Sequence, residues 1–307
     1  MRKILALCTA ILLIFTLGGC QNSEPPKNPV NPPFFVVKDE KTGGEVYMLG
    51  SMHVGLPNTV YPDAVYEALD KCSSVACEID LIRLNSDNAE VNEASKVFLC
   101  SSAKELLGED YDEIKSYFVE KGIYSARFEK FIPAMWSIAL TKKASSDSGY
   151  SSEYGTELDI LALAKSKNKK IIELETAAEQ YAINAGQSLD FQIYSLKSSI
   201  EMPYETLKAQ NNALYSAWSE SNTLMLEMML SQSDVPKEFS EDFAKFYSEM
   251  YEKRQEKMAD FVIKSLQNGD KIFFMVGAAH FYAKPDILDF LENAGYYAQA
   301  ETLANAA

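Results

Sequence analysis

From Phe34 onward the apolar residues fall into short runs whose spacing alternates between two periods. Phe34 to Lys38 and Glu45 to Leu49 are rich in β-branched and aromatic residues, and Gly43-Gly44 between them predicts a hairpin. Asp63 to Lys71 has helical spacing, and Ser74 to Asp80 is a short apolar run that predicts a buried strand. Ser102 and Glu105 have the spacing of a capping box. Amphipathic helices are predicted over Asp110 to Gly122, with a glycine stop, and over Phe128 to Lys143, interrupted near Pro133. Glu157 to Lys167 predicts a helix, Lys170 to Leu174 a strand, and a further helix starts near Thr176. From Ser188 to Gln267 the pattern is almost wholly helical. Lys271 to Val276 returns to a strand, Pro285 stands where a helix begins, and Tyr296 to Leu303 closes as a strand.

This order predicts an α/β (α+β) fold with a mixed sheet core and a large helical insertion over about residues 102–267. The two ends also resemble each other. Val46 to His53 ends in Gly50-Ser-Met-His53, and Ile272 to His280 ends in Gly277-Ala-Ala-His280; a helix and a strand follow each. Two strand-GxxH-helix-strand repeats imply a duplication.

The N-terminus has a different character. Arg2 and Lys3 precede an apolar run from Ile4 to Leu17, long enough for a signal segment and short for a bilayer span. It ends in Leu17-Gly18-Gly19-Cys20, the pattern of a bacterial lipobox. The expected organisation is a lipoprotein signal peptide over 1–19, lipidation at Cys20, and a proline-rich tether over 20–33. One domain follows over 34–307. The protein is then exported and anchored by lipid on the extracytoplasmic face of the cell membrane, with no other membrane contact. Pro25, Pro26, Pro29, Pro32 and Pro33 make the tether semi-stiff.

The formal net charge is −15, and loss of residues 1–19 would remove two bases and no acid. So acidic a surface argues against nucleic acid, which requires a basic footprint. Of the five cysteines, Cys72, Cys77 and Cys100 remain in the mature domain; one disulfide is open to them and a framework is not.

The strongest chemical signal is scarcity. The chain has two histidines, His53 and His280, and both close a strand-Gly-x-x-His unit. A glycine there permits a tight turn, and the histidine then projects at the carboxyl end of a sheet strand, where open α/β sheets hold ligands. Adjacent strands would bring both imidazoles to one crevice, the preferred donors for a divalent transition metal. A carboxylate is expected beside them. Glu78 and Asp80, two apart on a predicted strand, would share a face, and Glu173 and Glu175 repeat the spacing. Arg254 lies on the apolar stripe of Phe243, Tyr247, Met250, Met258 and Phe261, and so needs an anion: Glu78, Glu175 or a substrate.

Tyr47-Met-Leu-Gly50-Ser-Met-His53-Val54, Ala68-Leu69 and Glu78-Ile79-Asp80 resemble the opening of the TraB/GumN family, which includes the TIKI proteins. Pro133-Ala-Met-Trp136, Gly155-Thr-Glu157, Leu174-Glu175-Thr176 with Gln180, Arg254 with Met258, Val276-Gly277-Ala-Ala-His280 and Leu291 to Tyr296 continue the likeness. The resemblance implies a fold shared with ChaN-like and erythromycin-esterase-like proteins. It also implies a metal-dependent peptidase using manganese or cobalt, as TIKI members are described. His53, Glu78, Arg254 and His280 are then the defining polar positions, and Glu175 a fifth. Ser51 stands where Thr is usual, and Phe281-Tyr282 where Leu-Val is usual.

The expected activity is that of a metal-dependent hydrolase acting on a peptide or small protein. His53, His280 and Glu78 would bind manganese, cobalt or zinc, Glu175 would be the general base, and Arg254 would steady an oxyanion. The alternatives are a non-catalytic lipoprotein that sequesters a peptide pheromone, and a metal- or haem-binding lipoprotein. The sequence leaves the oligomeric state open.

Overall fold

The structure, a computed structural model, describes residues 26–231 and 235–300. The signal segment, Cys20 and the end of the closing strand at Leu303 lie outside these residues.

The hairpin forms as its turn chemistry dictates. β2 (Phe34–Asp39) pairs antiparallel with β3 (Gly44–Ser51) across a turn in which Gly43 adopts φ +77°. The expected tether is shorter than its prolines suggest. β1 (Asn28–Pro29) pairs with β4 (Thr59–Val60), and Val30 is buried. The chain is therefore part of the fold from Asn28.

β5 (Ser74–Cys77), β6 (Lys170–Glu173), β7 (Lys271–Gly277) and β8 (Gln299–Ala300) complete a mixed sheet of order β6-β5-β7-β3-β2-β8. β6, β5, β7 and β3 run parallel; β2 is antiparallel to β3, and β8 is antiparallel to β2. β7 is buried but for Lys271, which accounts for its nearly continuous apolar run.

The two repeats lie side by side, with Gly50 opposite Val276 and Ser51 opposite Gly277. The helix Asp63–Lys71 follows the first and leads to β5, and the helix Ile287–Asn293 follows the second and leads to β8. They diverge at the last strand: β5 pairs parallel with β7, whereas β8 pairs antiparallel with β2 at the sheet edge.

The predicted strand Ser74–Asp80 stops at Cys77. Asp80 instead caps the helix Leu81–Ser86 by accepting from Arg83 N, and Lys165 binds its other oxygen at 2.7 Å. Glu78 and Asp80 therefore do not share a strand face. The helix expected across Pro133 is two elements, a 3-10 turn over Ala126–Lys130 and a helix over Pro133–Asp147 that starts on the proline.

The insertion packs on its own account and is pinned to the sheet. Phe118, Phe128, Trp136, Leu140 and Leu196 form a second core, and Phe191, Phe243, Phe246 and Tyr247 a third. Trp218, at the end of the helix Tyr204–Ser219, donates from Nε1 to the Gly50 carbonyl at 2.8 Å. Among the described residues no helix is long and apolar enough to cross a membrane, and Cys72, Cys77 and Cys100 are free thiols.

Candidate functional site

Four parallel strands in a row each release one polar residue at the carboxyl end of the sheet. In spatial order β6 leads to Glu175, β5 to Glu78, β7 to His280 and β3 to His53. Residues far apart in the chain therefore meet at one rim, the position where parallel sheets place ligands.

Gly277 marks the centre of this rim. A Cβ on it would lie 3.3 Å from Glu78 Oε1, 3.5 Å from His53 Nε2 and 3.9 Å from His280 Cδ2. The two imidazoles and the carboxylate thus surround a space that a single methyl group would crowd. The Gly277 amide donates to Glu78 Oε1 at 2.7 Å, which draws Glu78 out of the sheet direction and into that space.

Each histidine is held from behind. Glu157 Oε1 lies 2.7 Å from His53 Nδ1, off the line of the ring N–H, and accepts from Ser51 Oγ at 2.5 Å. Gly155 makes this possible, because a Cβ there would sit 2.6 Å from the His53 carbonyl oxygen. The loop closes through Thr156 N donating to Met52 O and Met52 N donating to Thr156 Oγ1. On the other side Gln255 Oε1 lies 3.2 Å from His280 Nδ1, while Gln255 Nε2 donates to Ala283 O at 2.9 Å. With that amide orientation Nδ1 carries the His280 proton, so Nε2 presents its lone pair to Glu78 Oε1 at 3.8 Å.

Arg254 is the third wall. A π-helical turn over Ser248–Glu252 joins the helix Ser240–Tyr247 to Lys253–Gln267 and sets its position. Its Nε and Nη2 donate to the two oxygens of Glu175 at 2.7 Å each, Nη2 also reaches Glu78 Oε2 at 2.8 Å, and Nη1 donates to Met250 O. Gln180 Nε2 bridges the same carboxylates at 2.9 Å to each. Arg254 therefore pairs with both carboxylates that had been alternatives for it, and Glu175, 7% exposed, has both oxygens engaged.

The charges respond to this layout. Burial opposes ionisation of Glu78, but Arg254 and the two histidines overcome it and hold the carboxyl at about 2. His280, 3% exposed, is pushed down to about 3 by burial and then by Arg254. Burial also works against a charge on His53, yet Glu157 beside it carries the ring up to about 9. One imidazole is thus neutral and the other cationic over most of the pH range, so His53 must give up its Nε2 proton before that atom can serve as a metal donor.

Among the described residues no group of three or more His, Cys, Asp or Glu side chains is drawn up to hold a metal ion as it stands. The donor chemistry nonetheless fits one. Two imidazoles with acceptors behind their Nδ1 atoms and a carboxylate face a cradle at Gly277, and 3.8 Å between His280 Nε2 and Glu78 Oε1 is wide for a hydrogen bond and suited to a shared cation.

The site contains residues to which sequence reasoning assigned no site role. Glu157 and Gln180, noted only within the family resemblance, and Gln255 all bear on it, as does Gly277 in a role beyond its turn. Glu157 had a signal, an acid two residues after a glycine that must pass close to His53; Gln255 had none, since a neutral residue on a helix beside Arg254 reads as surface. Asp80 and Glu173 fall outside the site: Arg83 binds Glu173, and Asp80 N donates to it.

Beside the Arg254–Glu175 pair a cavity of about 510 Å3 opens between the helix Ala177–Ala185 and the helices around the π turn. Ile183 and Phe246 line it together with Glu179, Asp242, Lys245 and Lys257.

No curated protein and no solved structure matches the chain. A family model does, over residues 34–300, the span that contains every strand and side chain of the site but the β1–β4 pair's first member. The chain belongs to the TraB/PrgY/gumN family.

Proposed function

We propose that the protein is a metal-dependent hydrolase of peptides, exported and held at the membrane by lipid on Cys20. His53, His280 and Glu78 hold a divalent manganese, cobalt or zinc ion at the Gly277 cradle. When bound, the ion supplies Lewis acidity to a carbonyl and a lowered pKa to water. The observation that carries this reading is the backing of both Nδ1 atoms, by Glu157 and Gln255, which turns both Nε2 atoms toward the space beside Glu78.

The chain's own groups divide the remaining work. Glu157 orients His53 and takes up its charge, and Gln255 fixes the His280 tautomer. Arg254 and Glu175 lock Glu78, so in this reading they position a ligand; the base and oxyanion roles suggested by sequence require the Arg254–Glu175 fork to open first. The cavity of about 510 Å3, with charges of both signs and the apolar side chains of Ala182, Ile183 and Phe246, suits a short stretch of extended peptide. The finer likeness to the TIKI proteins, and a common fold with ChaN-like and erythromycin-esterase-like proteins, belong to the same proposal.

Elemental analysis of the purified protein beside His280→Ala tests the metal. One equivalent of transition metal in the first and none in the second supports it; equal content in both refutes it. Cleavage of a peptide library is then compared with the His53→Ala, His280→Ala double variant. Metal without any difference in cleavage favours the other reading of the cavity, a module that sequesters a peptide such as a pheromone. The second alternative from the sequence, haem capture, predicts a haem absorbance band after incubation.

A further inference from the structure

The helix Thr223–Leu230 presents an unusual face. Leu224 is 69% exposed, Met228 53% and Met225 40%, while Leu226 points the other way and is fully buried. The three exposed side chains fall within about 100° of helical arc, so they form one apolar stripe. Glu227, on its flank, is the only ionisable residue of this helix.

The N-terminal chain meets the domain next to this stripe. Asn31 N donates to Ser219 O at 2.7 Å, and Ser221 Oγ donates to Asn31 O at 2.6 Å. Asn222 then caps the helix by accepting from Met225 N. From Asn31 the chain runs back alongside β4 to Asn28, about 10 Å away, where Asn58 O and Pro57 O hold it, and from there it leads toward Cys20. Eight residues separate Cys20 from Asn28, a reach of no more than about 25–29 Å for any chain, so a lipid on Cys20 would keep this end of the domain near the bilayer.

We infer that the Leu224, Met225 and Met228 face lies in the bilayer interface and fixes how the domain sits on the membrane. This rests on the proposed lipid anchor and adds a second contact to it. An apolar helical face of this kind settles about 5–10 Å into the headgroup boundary. A second copy of the chain is a poorer occupant: three side chains fall well short of the roughly 800 Å2 per partner that a stable dimer buries. The acidic surface favours lipid with zwitterionic headgroups, because anionic ones would repel it.

The full-length protein, reconstituted in phosphatidylcholine vesicles with and without brominated acyl chains, provides the test. Leu224→Trp, or Met228→Trp if the first folds poorly, adds a reporter to the stripe; Trp136 and Trp218 are buried and subtract out with the parent protein. Val119→Trp, at another exposed apolar position, is the control. The stripe reporter is expected to lose about half its emission or more in brominated vesicles, and the control none. Mass analysis of the N-terminal peptide reports the lipid separately. A lipidated, vesicle-bound protein with an unquenched reporter overturns the docking alone, and one whose reporter instead follows protein-to-lipid ratio points to a second copy and overturns it too. A protein without lipid on Cys20 overturns the anchor and the docking together.

Discussion

Arg254 grips Glu175 with two parallel hydrogen bonds, Nε to Oε1 and Nη2 to Oε2, both 2.7 Å long. The pair is nearly buried, at 12% and 5% side-chain exposure, so its value lies in the fork geometry that only a guanidinium provides. Arg254→Met leaves Glu78 and Glu175 facing each other without a cation and is expected to cost about 3–5 kcal/mol of stability. Urea unfolding measures this, and an Arg254→Met, Glu175→Gln double variant should recover part of the loss. No recovery would mean the two residues do not act as a pair.

Gly277→Ala tests the cradle with the smallest possible probe. The Gly277 backbone, at φ −50°, accepts alanine without strain, so the only obstacle is the new methyl group at 3.3 Å from Glu78 and 3.5 Å from His53. Affinity for manganese or cobalt should fall by at least tenfold while the thermal midpoint changes little. Unaltered metal titration would place the ion elsewhere.

Gln255→Ala removes the acceptor behind His280 and uncovers the Ala283 carbonyl. Gln255 is fully buried, so a loss of about 1–3 kcal/mol is expected from the unpaired groups. Metal affinity should fall by about 10- to 100-fold. NMR of the His280 ring reads the consequence directly: the Nδ1-protonated tautomer dominates in the parent protein and not in the variant.

Glu129 makes a pH prediction away from the site. Hydrogen bonds from Tyr111, Tyr124 and Lys115, in that order, hold its carboxyl down at about 2. A depressed folded pKa contributes stability that is complete above the unfolded value, near 4.5, and disappears as the pH falls to about 2. The stability gap between the parent protein and Glu129→Gln should therefore be present at pH 7 and shrink steadily below pH 5, as read by unfolding midpoints. A gap that stays constant would refute the network.

Much of this layout is legible in the chain. The hairpin, the helix Asp63–Lys71 and β7 follow from turn residues and apolar period, and the two GxxH units announce their own adjacency. The end of β5 is not legible, because Glu78 leaves the sheet for a hydrogen bond to Gly277, a partner 199 residues later. The register of Asp80 is lost for the same reason: it serves a helix cap and Lys165, both tertiary circumstances. The fork between Arg254 and Glu175 was half legible, since burial of a cation requires an anion but left Glu78, Glu175 and a substrate all open. Gln255 carries no charge and leaves no trace in the pattern, and Gln180 shows only through the family resemblance.

β7 lies between β5 and β3, so the last of the four parallel strands to be made is inserted into the middle of the sheet. Until residue 277 has left the ribosome, the two earlier strands face a slot the width of one strand, and their polar tips stand too far apart to act together. A chain truncated before this strand, or stalled short of it, is left without a working centre and with an open seam of unpaired backbone, a ready template for aggregation.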